Sequence, residues 1–169
     1  MPCSDQMIPN VVTISPQQTI SEALELLHKH SIRTLPVVDE KYCVVGLFSF
    51  SFLLKNLLPI AVTLDDDMTH MKHLEIILDH LPGQAPWLAK RLKAYLPRKV
   101  EDVMLKNIVS VHPDTPLREG VRLIVKYGSP IPVVEKGTQR LLGLISSQSA
   151  IAALIEIMKT LDNGQDVHE

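Results

Sequence analysis

The sequence predicts a mixed α/β (α+β) protein made of two copies of one strand-helix-strand-strand-helix unit, packed with pseudo-twofold symmetry and separated by a helical insertion. Three observations predict it. "MIPNVVTISPQQTISEALELL", beginning at Met7, returns as "MLKNIVSVHPDTPLREGVRLI" from Met104, 97 positions later. "LPVVD" at 35–39 returns as "IPVVE" at 131–135, each followed by a polar turn and a second apolar run through Gly46 or Gly143. The stretches between carry apolar residues at helical spacing. One copy, at roughly 50 residues, is too small to bury much core alone, so the two must pack against each other.

Each element has a local reason. Val11–Ile14 and Ile108–Val111 are short β-branched runs stopped by Ser15-Pro16 and His112-Pro113. They read as strands ending in a turn, because the residue before proline is pushed out of the helical region. A helix follows. Thr19 with Glu22 three residues on makes a capping box; Thr115, matched to Thr19 by a one-residue slip, precedes Pro116 at the first helical position. Ile20, Ala23, Leu24 and Leu27 fall at i, i+3, i+4 and i+7, and Leu117, Gly120, Val121 and Ile124 fill the same slots. Two strands joined by "DEKY" or "EKGTQR" come next. The last helix begins at serines and stops at Pro59 in one copy and near Asn163-Gly164 in the other. The boundaries are 1–58 for the first repeat, 59–100 for the insertion, 101–160 for the second repeat and 161–169 for a disordered tail.

Bulk properties narrow the function. With 169 residues, 46% hydrophobic, 21% charged and a formal net charge of −2, the chain has no general basic field for nucleic acid. Its basic residues cluster only around Lys90, Arg91, Lys93, Arg98 and Lys99. Cys3, in a terminal tail, and Cys43, in a strand, make no disulfide framework and suit a reducing cytoplasm. The start lacks a basic-then-apolar leader, and "FLLKNLLPIAV" is too short to span a membrane. No Gly-x-Ser-x-Gly turn, P-loop or dinucleotide fingerprint is present, so the chain is not expected to be an enzyme.

The strand that ends in Ser49, like the one that ends at Ser146, delivers a hydroxyl to the start of a helix. There the unpaired N–H groups and the dipole favour an anion such as phosphate. The same serines also suit plain helix capping.

Each copy resembles a CBS domain, the module named after cystathionine β-synthase. The marks are the methionine ahead of the first strand, the "LPVVD" strand and the glycine-led "G-h-h-S/T-x-x-D" run into the last helix. The resemblance covers residues 7–58 and 104 to about 158. It implies a disk-like regulatory module, commonly self-associating as a homodimer, that binds AMP, ADP, ATP or S-adenosylmethionine in clefts between its halves. By the same resemblance Val12 and Thr13, with Val109, lie beside an adenine ring. Arg33, Thr34, Leu35 and Pro36, with Ile131 and Pro132, line the cleft, and Arg33 and Thr34 resemble a phosphate-contacting pair. Arg33 equally suits a surface cation at a helix C-terminus. Ser49, Ser51, Ser146 and Ser149 complete the expected site.

One position departs from the pattern. In ligand-binding members an Asp six residues after the glycine accepts hydrogen bonds from both ribose hydroxyls; here Phe52 and Ser149 stand there. Losing charge-assisted bonds forfeits on the order of 1.5–3 kcal/mol apiece, roughly 10- to 150-fold in affinity.

The insertion reads as a helical hairpin. Met68, Met71, Leu74, Leu78 and Leu81 share a stripe after Asp65–Asp67, and Trp87, Leu88, Leu92, Tyr95 and Leu96 form a second one ending at Pro97. It either covers the protein's own core or dimer contact, or docks a protein partner through residues 60–100. In that second case the pair is a ligand-free dimerisation or interaction scaffold. Of Asp67, His70, His73 and His80, His70 and His73 share a helical face. His-x-x-His without a nearby cysteine or a His-Glu-x-x-His pattern is a weak metal signal that a solvated face explains more simply, and no metal is expected.

Overall fold

The computed structural model describes residues 1–57 and 85–165. Among them are helices α1 (Ile20–His30), α2 (Phe50–Leu57), α3 (Ala85–Tyr95), α4 (Leu117–Tyr127) and α5 (Ser147–Gln165). Strands β1 (Thr34–Val38) and β2 (Val44–Ser49) pair with each other, as do β3 (Ile131–Val134) and β4 (Leu141–Ile145). One-turn 3-10 helices cover Cys3–Asp5 and Val100–Asp102. The order α1-β1-β2-α2 thus recurs as α4-β3-β4-α5, the duplicated unit that the sequence predicts.

Three local features differ from expectation, and one agrees. The first strand of each copy shrinks to a bridge, at Ile14 and between Val111 and Val133. Val111 N–H donates to the Pro132 carbonyl at 2.9 Å, and the proline, having no N–H, cannot extend the ladder. The capping box at α1 forms in full: Thr19 Oγ1 accepts from Glu22 N–H at 3.2 Å, and Glu22 Oε2 accepts from Thr19 N–H at 3.3 Å. In the second copy, however, Pro116 is itself the cap and Thr115 Oγ1 accepts from His112 N–H at 3.0 Å, so no slip intervenes between Thr19 and Pro116. Finally, α5 runs through Gly164 to Gln165, into the stretch expected as a tail.

The chain divides into two compact units. One holds Met1–Thr13, Pro36–Gly46 and Lys106–Glu169; the other holds Ile14–Leu35 and Leu47–Leu105. In the first, Cys3 N–H donates to Thr115 O at 2.8 Å, Ser4 N–H to Pro113 O at 3.0 Å and Leu117 N–H to Met1 O at 3.0 Å. Ile8 and Leu144 exchange N–H···O bonds at 2.7 and 3.1 Å. In the second, Val100 N–H donates to Gln18 O at 2.9 Å, Glu101 N–H to Pro16 O at 3.1 Å and Ile20 N–H to Arg98 O at 2.9 Å. Leu47 and Leu105 exchange theirs at 3.0 and 2.8 Å. Every bond of one set maps onto the other by the same 97-residue shift. The segment leading into each repeat therefore docks on the opposite repeat.

This exchange corrects the placement of Cys3 in a tail. It is fully buried, as is its counterpart Val100, in a cluster with Val111, Leu117, Ile131, Val133, Ile145 and Ala153. Burial pushes the Cys3 thiol up from its ordinary pKa, opposed by a backbone hydrogen bond at Gly120. In the other unit Ile14, Ile20, Ala23, Leu35, Phe48, Leu53 and Leu57 are buried alongside Val100.

β3 and β4 are antiparallel, with Val133 opposite Gly143 and an irregularity after Val133. A Cβ on Gly143 would lie 2.7 Å from the Ile8 carbonyl oxygen, too close for the bridge to persist. Gly143→Ala is therefore expected to cost about 1–3 kcal/mol and lower the melting temperature by several degrees. A melting temperature unchanged within a degree would show that the leading segment does not lie on β4.

Of the expected hairpin in the insertion, α3 forms the second helix and packs against α2. The first, with Asp67, His70, His73 and His80, lies outside the described residues. Among the described residues no helix is long and apolar enough to cross a membrane, and no cluster of three or more His, Cys, Asp or Glu side chains is placed to hold a metal ion.

Candidate functional site

The two serine-led helix starts differ in how their hydroxyls are used. At the head of α2, Ser49 is buried at the end of β2; its Oγ lies 2.9 Å from Ser51 Oγ and accepts from Phe52 N–H at 3.3 Å. Phe52 has no side-chain acceptor to turn back on the strand end, so Ser49 caps the helix itself. The Phe52 ring is half-buried, with the Lys55 ammonium 5.6 Å from its centre. Both serine hydroxyls at this helix start are thus hydrogen-bonded.

At the head of α5 the roles reverse. Ser149, buried in the first turn, accepts from Ser146 N–H at 3.2 Å through its own Oγ. Ser147 N–H donates to Ser129 Oγ at 3.1 Å, and Ala150 N–H returns to the Ser146 carbonyl at 3.0 Å. With Ser149 doing the capping, Ser146 Oγ is released. It is a buried hydroxyl with no hydrogen-bond partner among the described residues. The 19-residue α5 has no acidic side chain in its first turn, so the partial positive charge of its N-terminus is not neutralised there.

The remaining expected residues fall as follows. Ile131 and Pro132 are buried in β3, and Val109 is half-buried in the extended run before Val111. Arg33 is exposed between α1 and β1, Thr34 is half-buried, Leu35 and Pro36 are buried, and Ser51 is exposed. Val12 and Thr13 are half-buried. The described hydrogen bonds thus bring together Ser129, Ser146, Ser147 and Ser149 in one place and Ser49, Ser51 and Phe52 in another. Ser129 is not among the expected site residues; its only signal is that it stands ahead of "IPVV" where Arg33 stands ahead of "LPVV".

The model of the CBS domain matches residues 5–58 and 100–156, more than half of the chain. The chain belongs to the CBS-domain family. The two matches begin near the leading 3-10 helices, which accords with residues before Met7 and Met104 being part of each CBS repeat. Among relatives of this CBS pair is an uncharacterised protein of Methanocaldococcus jannaschii, 26% identical over 149 residues, covering 85% of this chain and 86% of that one. CBSX2 of Arabidopsis thaliana, solved in complex with AMP, superposes with a TM-score of 0.65 at 24% identity, covering 92% and 97% of the two chains. The CBS domain pair of protein MJ0100, solved with 5′-methylthioadenosine and S-adenosyl-L-methionine, superposes with a TM-score of 0.61 at 23% identity, covering 92% and 96%. Both superpositions establish the fold. The CBS pair also matches several enzymes, of whose length it spans about a quarter or less.

Proposed function

We propose that this CBS pair is a regulatory module that senses an adenine nucleotide or a related adenosyl ligand, seated at the head of α5. The observation that carries this reading is the unpartnered Ser146 hydroxyl. A buried hydroxyl without a partner costs about 1–3 kcal/mol, and a ligand phosphate or ribose oxygen accepting its proton recovers that cost. The helix N-terminus adds attraction for negative charge. That the related folds of CBSX2 and the MJ0100 pair were solved with AMP and with S-adenosyl-L-methionine supports an adenosyl group.

The first repeat is expected to contribute little, because Ser49 is already satisfied by Ser51 and Phe52 N–H. One ligand per chain follows. Binding would favour the arrangement that holds it, and that population shift is the signal. This reading is regulatory rather than catalytic, and cytoplasmic AMP, ADP, ATP and S-adenosylmethionine are its candidate ligands. A ligand-free scaffold acting through residues 60–100 is the competing role.

A thermal-shift series with these four compounds at millimolar concentration separates the two. A ligand that binds only the folded state at 100 times its dissociation constant stabilises by about 2.7 kcal/mol, so at least one must raise the melting temperature clearly. If none does, the ligand-sensing reading fails and the scaffold remains.

A further inference from the structure

Two hairpin turns meet beside the leading segment of the chain and leave a small cavity there. It measures about 230 Å³ and is lined chiefly by Asn10, Val11, Tyr42, Arg140, Leu142 and Gly143, all within one compact unit. Ordinary small-molecule sites run to roughly 300–1,000 Å³, so this one suits a single functional group rather than a whole nucleotide. Three of its lining residues carry polar side chains: the Arg140 guanidinium, the Tyr42 phenol and the Asn10 amide. None of these has a hydrogen-bond or ionic partner among the described residues, where the ion pairs are Arg98–Asp102 and Arg122–Glu119.

The backbone explains why they stand free. Val44 N–H donates to Gln139 O at 3.1 Å and Leu141 N–H to Tyr42 O at 2.9 Å, which stitches the β1–β2 turn to the β3–β4 turn. Tyr42 and Asn10 take left-handed backbone, φ 64° and 53°, a conformation uncommon for tyrosine that its surroundings must hold. Asp39 and Glu135, which open the two turns, are engaged elsewhere. Asp39 Oδ1 accepts from Lys41 N–H and from Cys43 N–H, each at 2.9 Å, and Glu135 Oε2 accepts from the Thr138 hydroxyl at 2.6 Å. Arg140 is therefore fixed at the seam without a counter-ion. Duplication does not account for the set. The 97-residue shift relates Asn10 to Asn107, Tyr42 to Gln139 and Cys43 to Arg140, so the equivalent place has two amides and a thiol, with neither cation nor ring.

We infer that the cavity is an oxyanion seat that takes the phosphate or carboxylate of a small ligand. The guanidinium offers donors in a rigid planar fork that matches two oxygens of such a group. The Tyr42 hydroxyl and the Asn10 amide add donors beside it, and an ionised oxyanion offers acceptors only. With Arg140 exposed and Tyr42 37% exposed, solvent screens these charge-assisted bonds, so binding is expected at about 1–10 mM and not tighter. None of the lining residues belongs to the group of Ser129, Ser146, Ser147 and Ser149, so the seat is distinct from the head of α5. One anion per chain follows from the single cation.

The test is titration of sodium phosphate, and separately of sodium acetate, into the isotopically labelled full chain at constant ionic strength, read by backbone amide shifts. At least one of the two is expected to shift Asn10, Tyr42, Arg140 and Leu142 saturably, and the tighter one names the group that the seat takes. Arg140→Gln, at an exposed side chain without partners, should keep the fold and weaken that response at least 10-fold. Tyr42→Phe, which removes only the hydroxyl, should weaken it several-fold and gives a second reading if the first variant misfolds. No saturable shift at these four residues by about 50 mM of either salt overturns the inference. So does an Arg140→Gln protein that responds as the native one does. A response confined to Ser146 and Ser147 overturns it as well, because the anion then belongs to the head of α5.

Discussion

Ser149→Asp is expected to tighten AMP binding by roughly 10- to 150-fold, read by calorimetric titration. The residue sits in the first turn of α5, where its Oγ already accepts from Ser146 N–H. A carboxylate there keeps an acceptor for that bond and adds a second oxygen, so that paired ribose hydroxyls gain charge-assisted bonds worth about 1.5–3 kcal/mol. Without ligand the same carboxylate is costly, since position 149 is only 4% exposed. The melting temperature should therefore fall in the ligand-free protein and recover when AMP saturates. Phe52→Asp is the matched control in the first repeat. A gain at position 52 with none at 149 would move the ligand to the other helix start.

Ser146→Ala is expected to act in the opposite sense on both properties. The native hydroxyl is buried and unpartnered, so removing it should leave the ligand-free protein as stable as before or more stable, by up to about 1–3 kcal/mol. Its loss should weaken AMP binding, by roughly 10- to 150-fold if the hydroxyl meets the phosphate. Ser49→Ala should do the reverse: lose a helix cap worth about 0.5–2 kcal/mol and leave ligand affinity nearly unchanged. Calorimetry and thermal melts on the two variants separate the roles. A Ser146→Ala protein that melts earlier and binds AMP normally would mean that the serine is structural.

The duplication was legible because the physics of each element is local. "LPVVD" and "IPVVE" are strand cores whichever copy they sit in, and the capping box at Thr19 needs only Glu22 three residues away. The role of residues 1–6 was not legible, because nothing local marks "PCSDQ" and "KVEDV" as equivalents. Their likeness lies in backbone bonds to Thr115 and Gln18, distant partners that no periodicity reports. The extra slip at Thr115 arose similarly: a threonine in the right place reads as a cap, whereas Pro116 takes the cap through its own backbone angles. At the site, the serines themselves were legible and their hydrogen bonds were not. Replacing the family's Asp by Phe52 in one copy and Ser149 in the other looks like one loss made twice. Only the geometry shows that phenylalanine commits Ser49 to capping, while serine at 149 frees Ser146.

The most direct measurement is the shift of backbone amide resonances as AMP is titrated into the isotopically labelled chain. If the head of α5 is the seat, the largest changes fall on Ser129, Ser146, Ser147 and Ser149, and saturate at one ligand per chain. Largest changes at Arg33, Ser49 and Ser51, or none anywhere at millimolar AMP, S-adenosylmethionine and ATP, would contradict it.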